Sequence, residues 1–112
     1  MTPQDREEHR FAALAAGHEV EFRCGRCMVV IVEKYNYLSR SEWQPKINKA
    51  DCFDLMVACG MSIDFCEGLV HSDDMQITVG FEPYDSEEAM QAAFKCAVEI
   101  GRDKEGGGDE EV

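Results

Sequence analysis

A helix marked at both ends, emptying directly into an alternating segment, limits this chain more than any other stretch of it. Pro45 lacks an N–H and turns Gln44 away from helical angles, so the chain there is extended or turning. Asn48 then caps a helix, and Asp51, three residues on, places a carboxylate at the positive end of its dipole. Phe53, Met56 and Val57 recur at i, i+3 and i+4, with Cys52 and Cys59 on or beside that stripe, which predicts a helix lying on a sheet through Phe53. Gly60 supplies the left-handed stop. Beyond it Met61, Ile63 and Phe65 alternate with Ser62, Asp64 and Cys66 as a half-buried strand. Trp43 is expected to cover one end of this unit.

The flanking segments read in the same terms. Thr2 and Pro3 are a cap and first helical residue, followed by an apolar face of Phe11, Leu14 and Ala15 and a stop at Gly17. His18 to Arg23 alternates, with Val20 and Phe22 inward. A turn at Cys24-Gly25-Arg26-Cys27 leads into Met28 to Val32, a continuous apolar run suited to a central strand. Gly25 at the first central position predicts a type II′ turn that sets Cys24 opposite Cys27. Tyr35 to Glu42 reads as a polar excursion, a partner-facing loop displaying Tyr35, Tyr37 and Leu38. Ser72-Asp73-Asp74 signals a turn, and Met75, Ile77, Val79 and Phe81 alternate as a strand antiparallel to the one before it. Asp85 with Glu88 opens the last helix, whose inward face is Met90, Ala93, Phe94, Ala97 and Ile100. Periodicity stops at Arg102. The expected architecture is α+β, in the order α-β-β-α-β-β-α, with a four-stranded, mainly antiparallel sheet carrying the helices. Residues 1–101 form the domain and 102–112 a disordered acidic tail.

The order Trp43-x-Pro45, Ala50-Asp51, a helix running from Leu55 to its end at Gly60, then Ile63-Asp64, resembles small phage and prophage proteins of the phage ABA-sandwich family. The likeness extends to Ala15-Ala16-Gly17, to Glu88 through Ala93, and to Ile100-Gly101, covering most of residues 8 to 103. It implies a compact domain of phage or prophage origin and carries no catalytic residues across. Cys24-Gly25-Arg26-Cys27 is not part of the likeness.

Charge narrows the function. A formal net charge of -12, from 23 acidic and 11 basic residues, argues against direct contact with nucleic acid or anionic membrane. Such a surface suits a basic protein partner, or simply keeps the chain soluble. The tail from Arg102 carries five of the acidic residues and two of the basic ones, so the remainder is still at -9. The opening residues show no apolar segment behind a basic start, and the longest apolar run, Cys27 to Val32, is far too short to span a bilayer. The expected location is the host bacterial cytoplasm, where six cysteines are thiols rather than a disulfide framework.

The reactive candidates are few. Cys24 and Cys27 form a Cys-x-x-Cys pair, but zinc needs four ligands and no second pair exists; recruits would have to come from Cys52, Cys59, Cys66, His18 or His71. A thioredoxin-like role requires a helix after the motif, where an apolar strand follows instead. The seven-residue spacing of Cys52, Cys59 and Cys66 is broken by Gly60, which marks them as packing residues. His9, His18 and His71 read as surface histidines without a nucleophile at diagnostic spacing. Asp64, Asp73 and Asp74 read as strand-edge and turn residues rather than a magnesium site. Gly106 to Gly108 lie among acidic residues and cannot cradle phosphate.

These observations predict a non-enzymatic phage or prophage accessory protein, without cofactor, that binds a host protein. One version has it inhibit a nucleic-acid-binding antiviral defence component, with carboxylates standing where phosphates would sit. The partner-binding candidates are Tyr35, Tyr37 and Leu38 in the loop, and Asp54, Glu87 and Glu99 on the outer helix faces. The alternative is a zinc-binding or redox module using Cys24 and Cys27.

Overall fold

The computed structural model describes residues 1–32 and 38–110. Its elements run α1 (Pro3–Ala16), β1 (Glu19–Arg23), β2 (Arg26–Val32), β3 (Leu38–Glu42), α2 (Lys49–Cys59), β4 (Ser62–Asp64), β5 (Leu69–His71), β6 (Thr78–Gly80) and α3 (Ser86–Glu110). The class is α+β with antiparallel pairing, as expected. The single four-stranded sheet is corrected: there are two three-stranded sheets, ordered β1-β2-β3 and β4-β5-β6. Two strands escaped the reading. β3, Leu-Ser-Arg-Ser-Glu, has one apolar residue and reads as a loop, yet it pairs Val29 with Ser41 and Val30 with Arg40. Arg40 also reaches across β2 to grip both carboxylate oxygens of Glu21 on β1, at 2.8 and 3.1 Å. β5 is three residues long between Gly68 and a turn, and it separates the two strands expected to be neighbours, pairing Ile63 with Val70 on one side and Val70 with Val79 on the other.

Helix ends follow local chemistry. Thr2 accepts from the Asp5 amide while Asp5 returns a bond to the Thr2 amide, a capping box in front of Pro3. Asn48 accepts from the Asp51 amide, and Asp85 accepts from the amides of Glu87 and Glu88. Gly17 and Gly60 close α1 and α2 in the left-handed region, with φ of 75° and 66°. α3 runs through Arg102, so the boundary placed there falls inside a helix; Lys104 donates to the Ala15 carbonyl at 3.2 Å and Arg10 faces Glu105 at 3.4 Å.

α3 is the shared element of two cores. One of its faces gives Phe94, Ala97 and Val98 to a cluster with Phe11, Val29, Trp43 and Leu55. Another face gives Ala92 and Cys96 to a cluster with Val70, against which Ile63, Ile77, Val79 and Phe81 pack. The helix therefore holds the two small sheets together, and neither sheet needs to be large. α1 approaches it so closely that a Cβ on Gly101 would overlap the Phe11 carbonyl. Trp43 is buried at the end of β3, its amide bonded to the Cys27 carbonyl at 2.9 Å.

The facing of α2 corrects the sequence reading. Cys52 and Leu55 are the buried residues, Leu55 completely, with Cys59 packed against the same core. Phe53 and Val57 are 66% and 64% exposed. On α1, Leu14 is likewise exposed while Phe11 and Ala15 are buried. No helix among the described residues is long and apolar enough to cross a membrane.

Candidate partner-binding groove

The thiol pair comes apart in the structure. Cys24 and Gly25 both take positive φ, 50° and 76°, and form the two central residues of the turn closed by Arg23 opposite Arg26. That is the type I′ pattern, one residue earlier than the type II′ turn predicted. Cys27 consequently faces Phe22 rather than Cys24. Cys24 is exposed and Cys27 is buried. Burial pushes the Cys27 thiol up to about 11, as it does that of Cys96, and raises those of Cys52 and Cys59. These four thiols stay protonated at neutral pH and are poor nucleophiles. Among the described residues no three His, Cys, Asp or Glu side chains are grouped to hold a metal ion.

His9 is a second correction, because it is buried in the core and not a surface residue. Its ring lies 4.8 Å from that of Phe94 and 6.2 Å from that of Trp43, whose other neighbour is His18 at 5.7 Å. Nδ1 lies 2.6 Å from the Asp5 carbonyl oxygen, which can only accept, so the Nδ1 proton is fixed there. Burial lowers the imidazole pKa, outweighing the Asp5 bond that raises it. His9 and Cys27 line one cleft of about 550 Å³ with Asp5, Arg26, Glu42 and Lys46. A Cys–His pair there would need a thiolate, and burial withholds it.

Two of the three aspartates weighed as a cation site, Asp64 and Asp74, serve neighbouring amide and hydroxyl groups instead. Asp64 accepts from the amides of Cys66 and Glu67, and Asp74 from the Ser72 hydroxyl and the Gln76 amide. The second of these holds its carboxyl below the ordinary value, chiefly through Ser72.

The predicted partner-binding residues that the structure describes do not all gather in one place. Tyr35 and Tyr37 lie outside the described residues. Leu38 is 53% exposed but opens β3, in the β1-β2-β3 sheet and not the one that contains β4. Asp54, Glu87 and Glu99 are all exposed, as expected. Glu87 and Glu99 are nonetheless about 18 Å apart along α3 and about 120° around it, at 1.5 Å and 100° per residue. Glu99 is also bridged to Arg102 at 2.8 Å. They do not make a single phosphate-like array.

What the structure does assemble is an apolar groove of about 250 Å³ between α2, β4 and the first turn of α3. It is lined by Lys49, Cys52, Phe53 and Met56 from α2, Ile63 and Phe65 from β4 and the residue after it, and Ser86, Ala89 and Met90 from α3. Phe65 is 46% exposed and packs edge-on against Phe81 at 6.1 Å. Tyr84, three-quarters exposed, donates its hydroxyl to the Cys66 thiol at 3.2 Å. Sequence reasoning missed the groove because it put Phe53 in the core. The signal that could have found it was the rival stripe of Cys52, Leu55 and Cys59 at i, i+3 and i+7, one helical step around from Phe53. No protein-family model, curated protein or solved structure matches this chain, so the groove stands on its own geometry.

Proposed function

We propose that this chain is a non-enzymatic accessory protein that acts by binding a host protein in the bacterial cytoplasm, through the groove between α2, β4 and α3. The observation that carries the reading is Phe53, two-thirds exposed on a helix whose opposite residues are buried, lining the same groove as the half-exposed Phe65. Single exposed apolar residues are ordinary on protein surfaces, but two aromatic rings joined by Met56, Ile63 and Met90 make a contiguous patch of the kind found at interfaces. Methionines at such a surface adapt to the shape of the partner. The phage or prophage setting rests on the likeness of the Trp43 to Ile63 unit to the ABA-sandwich proteins.

The zinc or redox alternative has no comparable support, since Cys24 points to solvent from a turn and Cys27 is enclosed. Affinity capture from a bacterial lysate tests the proposal when wild type is compared with Phe53→Ser/Phe65→Ser at matched melting temperature. The double variant should retain at least about tenfold less of the specific partner, a loss expected when two anchoring aromatics are removed. Equal recovery would place the binding surface elsewhere.

A further inference from the structure

Charge around the groove identifies the chemistry of what fills it. Segments 49–67 and 82–88, which supply almost every lining residue, carry eight acidic residues against one basic residue, Lys49. They hold more than half of the excess negative charge of the chain. Exposed carboxylates neighbour the apolar lining in the chain: Asp54 follows Phe53, and Glu87 and Glu88 follow Ser86, while Asp64 accepts from the amides of Cys66 and Glu67 and Asp85 from those of Glu87 and Glu88. The N-termini of α2 and α3, at Lys49 and Ser86, oppose this with only about half a positive charge each. These segments therefore carry a net charge of -7 beside the apolar lining, whose charged member is Lys49.

We propose that the groove takes an Arg- or Lys-bearing segment of the partner protein that inserts one aliphatic or aromatic side chain between Phe53 and Phe65. This rests on the protein-binding reading above and adds the chemistry of the partner to it. A volume of about 250 Å³ admits an anchor side chain rather than a whole element, so specificity comes from the anchor and its charged neighbours. Flanking cations meet the acidic rim, where they steer encounter, and guanidinium groups can also lie over the open faces of Phe53 and Tyr84. A nucleic acid or an anionic lipid headgroup is disfavoured because its phosphates would meet these carboxylates. A second copy of this chain would bring its own acidic rim against the first, which like-charge repulsion opposes.

The test is shift mapping by NMR on the isotopically labelled full chain, with a Lys/Arg peptide carrying one central Leu. Two control peptides replace the Leu by Ser, or the basic residues by Glu. The proposal expects shifts centred on Phe53, Ile63, Phe65 and Met90, and affinity at least about tenfold weaker for each control. It also expects weakening between about 50 and 300 mM salt as the screening length contracts. Equal binding of the Lys/Arg and Glu peptides would remove the basic partner while leaving the groove as a protein-binding surface. Shifts spread over the acidic surface without the groove, or no shifts with any peptide, would overturn the anchored segment. Sedimentation showing a dimer that disappears in Phe53→Ser would instead make the occupant a second copy and overturn the proposal. The capture experiment with Phe53→Ser/Phe65→Ser is read independently of all these outcomes.

Discussion

His9 shows how a residue that is unremarkable in the sequence becomes a determinant of stability once three elements close over it. The imidazole sits against Phe94 and Trp43 with its Nδ1 proton committed to Asp5, and burial disfavours its charged form. Asp5 and Glu8 on α1 favour the cation and Lys46 opposes it, so desolvation decides. The pKa of His9 is lowered from its ordinary value of 6.5, and the unfolded chain therefore binds the proton more readily than the folded one. Stability is complete above about pH 6.5 and falls as the pH drops below it toward the folded value. Chemical denaturation at pH 7.5 and 5.5 should show wild type losing stability over this interval. His9→Gln, less stable at both pH values, should show a flatter dependence; an unchanged slope would mean that His9 is not the group responsible. The carboxylates whose pKa is lowered, Asp5, Glu21 and Asp74, start from 3.8 to 4.5 and act in a more acidic range.

At the scale of elements, what was legible in the sequence was whatever depends on neighbouring residues. The caps at Thr2, Asn48 and Asp85 and the stops at Gly17 and Gly60 are interactions within three or four residues, and all five are present. The apolar run from Cys27 to Val32 is indeed the central strand of its sheet. The facing of α2 was not legible, because two apolar stripes compete there and only the position of α3 selects Leu55 over Phe53. β3 and β5 were missed for a related reason: their pairing is supplied by partners distant in sequence, not by their own composition. The groove depends on the facing of α2 and on β4, so it was hidden with them. Packing between α1 and α3 gives a sharper test of this tertiary control. Gly→Ala inside a helix ordinarily stabilises by about 0.5 to 1 kcal/mol. At Gly101 the added Cβ meets the Phe11 carbonyl, so Gly101→Ala should instead destabilise by about 1 to 3 kcal/mol through overpacking. Thermal unfolding of the variant at or above the wild-type temperature would show that the helices are not in close contact.

Across the whole molecule, the arrangement follows from α3 serving both cores. Phe94, Ala97 and Val98 on one face and Ala92 and Cys96 on another tie the two sheets to a single helix. α2 is then needed only along Cys52 and Leu55, and Phe53 and Val57 are left outward, Phe53 beside Ile63 of β4. α2 is thus divided into a structural stripe and a binding stripe, and the energetic consequence is direct. Leu55→Ala should cost about 2 to 5 kcal/mol, through lost burial and a cavity against Trp43 and Phe94. Phe53→Ala, at a site two-thirds exposed, should cost less than about 1 kcal/mol even though it removes a larger side chain. Equilibrium denaturation of the two variants side by side is the decisive measurement: a large loss is expected for Leu55→Ala and a small one for Phe53→Ala, and the reverse order would return Phe53 to the core and remove the groove.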